Sequence, residues 1–246
     1  MQQSNKHLKK LYEGKAKILY QADDPNQLVQ FFKDDATAFN NIKKDVIAEK
    51  GILNNFISEF IMLKLQKAGI PNHFIKRISE REQLIKKVRI IPLEIIIRNI
   101  TAGSMAKRLG IEEGIVLDSP VFDLCYKEDA LGDPLINEDH AVKVLKAVTS
   151  DQLSVIKDYA LKINKILQEL FLSINIKLVD FKLEFGFDEK KNIILADEIS
   201  PDSCRLWDKD TNQKLDKDIF RRDLGNLTDG YKEVAKRLGI KITNID

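Results

Sequence analysis

The sequence has only two cysteines in 246 residues, Cys125 and Cys204. They are too few and too far apart for a disulfide framework or a thiolate metal cluster. No run approaches the ~18 apolar residues of a membrane span, and the opening MQQSNKHLKKLY lacks the apolar stretch of a secretory signal. Neither charge is in surplus: 40 Lys and Arg against 38 Asp and Glu leave a net charge of +2. Non-specific nucleic-acid binding asks for a basic excess gathered on one face. Internal repeats, low-complexity tracts and long linkers are also missing. A soluble, cytoplasmic protein with neither nucleic acid nor membrane as a partner is therefore expected. With 43% hydrophobic residues the chain can bury a substantial core, as one large domain or as two lobes joined directly.

The most informative stretch is LVDFKLEFGFDEKKNIILADEISPD, residues 178 to 202. Val179, Phe181, Leu183 and Phe185 alternate with Asp180, Lys182 and Glu184, the period of a strand with one packed face and one polar face. Glu189 to Asn192 reads as a hairpin loop and Ile193 to Ile199 as the returning strand. If the loop holds those four residues, Glu184 lies directly opposite Asp197. Carboxylates opposed across a sheet repel. A divalent cation relieves the conflict, and an oxygen-only pair suits Mg2+ bridging to nucleotide phosphates. A solvated amphipathic hairpin is the other reading of the same pattern.

LYEGKAKILY, residues 11 to 20, reads as a hairpin pivoting on Glu13 and Gly14, with Lys15 and Lys17 on one face. Asp23 to Asn26 forms a turn, and Leu28 to Phe32 continues as strand. Such a hairpin suits a cover over a nucleotide, but one glycine is a weak signal and the GKS or GKT ending of a P-loop is missing; taken alone, the stretch reads better as an ordinary hairpin with exposed lysines. The spacing predicts a long core helix over Asp45 to Ala68, stopped by Gly69 and Pro71. Phe74 to Ile78 and Val88 to Ile91 read as short strands, and a helix is one reading of their charged connector, Ser79 to Lys87. Leu93 to Arg98 is β-like with Glu94, Ile96 and Arg98 on one face. Thr101 to Ser104 then enters a short helix ending at Gly110. Amides and a serine at a helix start suit an anion, with Arg98 just upstream; a plain serine cap beside an Arg–Glu pair is the alternative. Lys127 to His140 is an acidic polar loop. Thr149 opens a further core helix through a capping box to Gln152, and a last helix lies within Ile219 to Leu238, stopped by Gly239.

IIPLEIIIRNITAGS (residues 90 to 104) and LVDFKLEFG (178 to 186) resemble the two diagnostic motifs of the SAICAR synthetase family, the phosphoribosylaminoimidazole-succinocarboxamide synthases. LYEGKAKILY, LGDPLINEDH and DEISPDSCRLWD resemble the same family, in order and in spacing, so the likeness spans nearly the whole chain. It implies an α+β, two-lobed fold of antiparallel sheets and packed helices with an ATP cleft between the lobes. The N-terminal lobe would cover 1–88, with the hairpin over the nucleotide, and the C-terminal lobe 89–246. The implied reaction joins L-aspartate to CAIR at the expense of ATP, through an acyl phosphate, giving SAICAR, ADP and phosphate in purine synthesis. The implied enzyme is a homo-oligomer.

The same resemblance implies roles. Glu184 and Asp197 hold Mg2+ against the ATP phosphates. Lys15, Lys17 and Lys127 reach those phosphates, Gly14 and Ala16 let the backbone approach, and Arg89, Ile90 and Ile91 edge the adenine. Arg98, Gly103, Ser104 and Arg205 take the oxyanions of CAIR, where an arginine fork grips bidentately. Asp133 and Asp202 meet the CAIR amine. Lys182 touches substrate or the transferring phosphoryl group, and Asp180 orients Lys182 or a ligand hydroxyl. Asn40 stands where related sequences carry an acid, and its role stays open; no residue is assigned to aspartate, and Cys204 reads as a packed thiol. The alternatives are a small-molecule kinase, which would need a catalytic-loop base such as the HRD motif that this chain lacks, and a non-catalytic phosphoribosyl-binding module, which would need no acid pair.

Overall fold

The computed structural model describes residues 9–38 and 42–243. Asn40 lies outside the described residues. Five antiparallel strands form an N-terminal sheet: β1 (Lys10–Glu13), β2 (Lys17–Gln21), β3 (Gln27–Phe32), β6 (Phe74–Arg77) and β7 (Glu82–Lys86), in the order β1-β2-β3-β7-β6. Between β3 and β6 the chain makes a hairpin, β4 (Asp35–Ala38) with β5 (Lys43–Val46), and then a helix, α1 (Lys50–Lys67).

Two expectations are corrected in this half. The helix predicted from Asp45 starts at Lys50, because Asp45 pairs with Ala36 in the β4–β5 ladder and the turn at Glu49 is left-handed. The Asp34 carboxylate, held bidentately by Arg81, accepts the Gly51 amide and so serves the helix start from outside its own segment. The charged connector 79–87 contributes β7, with Leu84 and Ile85 facing β3 and β6 across the sheet; periodicity over so short a run does not separate strand from helix.

The second sheet carries the site. Its strands are β8 (Arg89–Ile100), β9 (Val116–Tyr126), β10 (Leu135–Ile136), β11 (Ile176–Phe187), β12 (Ile193–Ala196) and β13 (Cys204–Asp208), in the order β10-β9-β8-β11-β12 with β13 also paired to β11. The two runs 88–91 and 93–98 join in the single strand β8. Pro92 is accommodated at a register shift opposite the 184–186 segment of β11, the kind of irregularity where a strand tolerates a missing N–H. The short helix α2 (Gly103–Leu109) follows β8. The helix α3 (Ser150–Ser173) opens with the predicted capping box of Thr149 and Gln152 and lays Leu153, Ile156, Ile163, Leu167 and Phe171 on the sheet, each such burial contributing about 1.5–3 kcal/mol. The predicted final helix is two: α4 (Asp218–Arg221) and α5 (Leu227–Arg237), the second capped by the Asn226 side chain. One hydrophobic core runs from Ala36 of β4 to Leu238 after α5, so α1, early in the chain, packs with the C-terminal half. Among the described residues no helix is long and apolar enough to cross a membrane.

Along its edge, β11 changes partner. Residues 176–181 pair with β13 and residues 184–187 with β12. The segment 197–203 crosses between them, and the Lys182 amide donates to the Ser203 carbonyl at 2.9 Å. The polar face of β11 therefore looks into a cleft walled by that segment.

Candidate active site

The β11 pattern held, with two departures. The 184–197 pairing is displaced by one residue: Glu184 faces Ala196, because the loop takes in Asp188, whose carboxylate accepts the amides of Lys190 and Asn192. A slip of one residue sends a strand side chain to the opposite face. Asp197 escapes that outcome because the ladder ends at Ala196 and Asp197 is left-handed, φ 58°. Its carboxylate returns to the polar face and meets Lys182 Nζ at 3.2 Å, where the Glu184 carboxylate also arrives. The second departure is a bulge between Leu178 and Asp180. It turns Val179 away from Phe181, Leu183 and Phe185 into a small cluster with Ile100, Ala102 and Trp207.

Three lysines thus meet the two acids, and a fourth, Lys15, has an acid of its own. Lys17 of β2 pairs with Asp197 and lies 3.4 Å from Glu198; Lys127 donates to Glu184 at 2.8 Å; Lys182 also reaches Glu94 at 3.1 Å; and Lys15 reaches Asp129 at 2.7 Å. Burial works against the Asp197 carboxylate, but the Lys17 and Lys182 ammoniums outweigh it and hold its pKa far below the ordinary range. The same acids hold Lys17 and Lys182 charged against their own burial. Gly14 and Ala16 form the backbone of the β1–β2 turn, where the Ala16 carbonyl accepts the Lys33 amide. Arg89 stacks its guanidinium 4.6 Å from the Phe187 ring, and Ile90 is exposed at the start of β8.

Among the described residues no group of three or more His, Cys, Asp or Glu side chains stands ready to hold a metal. Glu184 and Asp197 are a two-carboxylate oxygen set. Mg2+ commonly uses such a set when nucleotide phosphates and water complete its shell, so these residues fit that ion.

Beside the acids lies a cavity of about 350 Å3, lined among others by Lys15, Glu94, Arg98, Ser104, Asp180, Lys182, Asp202, Arg205, Lys217 and Arg221. Asp180 does not orient Lys182. It sits between two arginines, accepting from Arg98 at 3.2 Å and from Arg205 at 2.8 Å. Asp123 takes Arg98 Nε at 2.7 Å and Asp218 takes Arg205 Nε at 3.1 Å, so both planar forks are fixed from behind. Arg98 Nη2 reaches toward the Ser104 hydroxyl at 3.5 Å. Ser104 is not the cap of α2, which Ala102 begins, and the Gly103 amide is already taken by the Glu113 carboxylate at 2.7 Å. Asp202 lines the cavity but is bound to the Tyr231 hydroxyl and to Lys50, each at 2.5 Å. Asp133, left-handed with φ 50°, accepts the Glu128 amide and is not among the residues lining this cavity. Cys204 is buried, and burial raises its thiol pKa, which agrees with a packed role. Sequence reasoning missed Lys217, Arg221, Glu198 and Lys50. Lys217 precedes, and Arg221 ends, a four-residue helix too short to show a periodicity.

Gly103 is a position where only glycine fits: φ is 55°, and a Cβ there would lie 2.3 Å from the Arg205 guanidinium. Gly103→Ala is expected to push Arg205 aside and weaken any oxyanion ligand of the cavity roughly tenfold or more, read as a raised KM at nearly unchanged kcat.

Residues 10–238 match the SAICAR synthetase family. The chain belongs to that family. It is 58% identical over 229 residues, 93% of this chain and 95% of the other, to the phosphoribosylaminoimidazole-succinocarboxamide synthase of Bacillus subtilis strain 168. Among solved structures, the phosphoribosylaminoimidazole-succinocarboxamide synthase of Ehrlichia chaffeensis superposes with a TM-score of 0.93 at 51% identity, covering 95% of this chain and all of that one. A SAICAR synthetase in complex with ADP gives 0.91 at 46% identity, covering 94% and 98%. The α+β SAICAR synthetase fold expected from the motifs is thus the fold of this chain, and a small-molecule kinase is not favoured.

Proposed function

We infer that the chain is an ATP-dependent carbon–nitrogen ligase that joins L-aspartate to the carboxylate of CAIR, giving SAICAR, ADP and phosphate in purine biosynthesis. The observation that carries this reading is the family match across residues 10–238, within which the arginine-lined cavity and the Glu184–Asp197 pair lie side by side.

A carboxylate does not accept an amine directly, since its oxygen leaves poorly. Transfer of the γ-phosphoryl of ATP to the CAIR carboxylate gives an acyl phosphate with a good leaving group, and such transfer needs alignment and charge neutralisation above all. Lys15 and Lys17 supply cations from the β1–β2 hairpin and Lys127 from the segment after β9, and Lys182 stands between the acids and the cavity, suited to the phosphoryl group in transit. Glu184 and Asp197 would hold Mg2+, whose contribution is to neutralise phosphate charge. Arg98, Arg205 and Ser104 take the ribose phosphate or carboxylate of CAIR. The structure gives less support to Asp133 and Asp202 as contacts of the CAIR amine, since both already have partners within the protein. The adenine edge at Arg89 to Ile91 and the division into lobes at 88 and 89 stay part of the proposal, as do a cytoplasmic setting and a homo-oligomeric assembly.

The test is a coupled assay for SAICAR formation from ATP, CAIR and L-aspartate. Product formation that requires all three is expected. ATP turnover with CAIR that ignores aspartate would point instead to a kinase, and CAIR binding without turnover to a binding module.

A further inference from the structure

The cations of the main cavity are nearly all held by close carboxylates. Lys15 has Asp129 at 2.7 Å, Lys182 has Glu94 at 3.1 Å, Arg98 has Asp123 at 2.7 Å, Arg205 has Asp180 at 2.8 Å and Arg221 has Asp218 at 2.6 Å. Lys217 is different. Its nearest carboxylate oxygen among the described residues, on Asp202, is 4.0 Å away, and Asp202 is already engaged by Lys50 and Tyr231, each at 2.5 Å. The Lys217 side chain is mostly buried, yet it lines the cavity beside Arg205 and Ser203.

We propose that Lys217 is the general base that takes a proton from the α-ammonium of L-aspartate, an assignment that rests on the ligase reading above. The ligation needs such a group, because an ammonium has no lone pair with which to attack an acyl phosphate. Lys217 as the free amine accepts one proton from the aspartate ammonium. The amine nitrogen then forms the C–N bond to the acyl carbon, the C–O bond to phosphate breaks with its electron pair leaving on the phosphate oxygen, and the second nitrogen proton departs with the phosphate. Lys217 returns its proton to water.

The surroundings make Lys217 give up its proton more readily than an ordinary lysine. Burial lowers the Lys217 pKa; Asp202 and Glu198 oppose that shift, while Lys50 of α1 and Arg221 of α4 reinforce it, and the net result lies below the ordinary lysine value. Tyr231 of α5 reaches Lys217 only through Asp202. A lysine lowered in this way by burial and neighbouring cations is a recognised general base.

Two nucleophiles separate this role from simple binding. Hydroxylamine is already neutral near pH 7 and traps an acyl phosphate as a hydroxamate without help from a base, whereas aspartate needs one. In Lys217→Met, SAICAR formation at pH 7 and saturating aspartate is expected to fall about 100-fold or more, while hydroxamate formation from ATP and CAIR falls only a few-fold. The residual ligation should rise close to tenfold per pH unit as free aspartate amine accumulates. Lys217→Arg keeps a cation that cannot deprotonate and should behave like the methionine variant. A parallel loss of both products, or recovery of ligation in Lys217→Arg, would overturn the base assignment, as would a raised aspartate KM with kcat unchanged. Absence of SAICAR from the wild-type reaction would instead overturn the ligase reading, and the base with it.

Discussion

Glu184→Gln is expected to lower kcat by about 10²- to 10³-fold while CAIR affinity stays within about threefold. The glutamine is nearly isosteric, so packing on β11 is preserved. The carboxylate charge is removed from a point where Lys127 and Lys182 both converge. Those two ammoniums then face one acid fewer, and the oxygen pair that suits Mg2+ is reduced to Asp197. On the proposed reading CAIR would lie further along the cavity, at Arg98, Arg205 and Ser104; the two arginines are held by Asp123, Asp180 and Asp218 and not by Glu184. Calorimetric titration with CAIR, together with ADP release followed across a magnesium series, separates the two effects. Wild-type turnover in this variant would remove the acid pair from the mechanism; lost CAIR binding would mean that the substrate lies across Glu184.

That pair shows how far the sequence could be read. Alternation along β11 is a direct consequence of strand geometry, so the placement of Asp180, Lys182 and Glu184 on one face was legible without a structure. The partner position was not. It depends on whether Asp188 belongs to the strand or to the loop, and the deciding hydrogen bonds run from the Asp188 carboxylate to backbone amides of Lys190 and Asn192, which no periodicity reports. The expected register put the two acids opposite each other; the actual ladder puts Ala196 there, and the left-handed turn at Asp197 restores the meeting by another route. The bulge that removes Val179 from its apolar row is equally silent in the sequence, since valine suits either side of a buried strand.

The helices divide in the same way. α3 was legible because its capping box and its three- and four-residue apolar spacing are both local signals. α1 began five residues late because strand pairing between distant halves of a hairpin overrode a helical pattern, and the final helix broke where Asn226 offers a new cap. Within the site, the motif residues Arg98, Asp180, Lys182 and Arg205 could be picked out one by one, but not the way carboxylates aim the two arginines: Asp123 and Asp218 were not singled out, and the place of Asp180 between the arginines was not legible. Asp123, Asp180 and Asp218 come from β9, β11 and α4 and meet only after folding.

This aiming makes Arg98 the most consequential single cation in the cavity. It is 1% exposed and bonded to Asp123 and Asp180, both in contact with other cations. Removing one partner of a buried pair leaves charge uncompensated, at a cost of about 3–5 kcal/mol. Arg108 remains 3.4 Å from Asp123 and Arg205 remains on Asp180, so Arg98→Met should fall near the lower end, about 3 kcal/mol, or roughly 6–12 °C in Tm for a chain of this size. The variant should also raise the CAIR KM by about 30-fold or more, since an oxyanion loses a fixed, bidentate fork. Adding Asp180→Asn removes one of the stranded charges, and the double variant should lose less stability than the two singles combined, as expected for contacting residues. Thermal unfolding of the four proteins measures that coupling directly. Additive losses would show that Asp180 answers to Arg205 alone, and an unchanged CAIR KM in Arg98→Met would move the substrate out of this cavity.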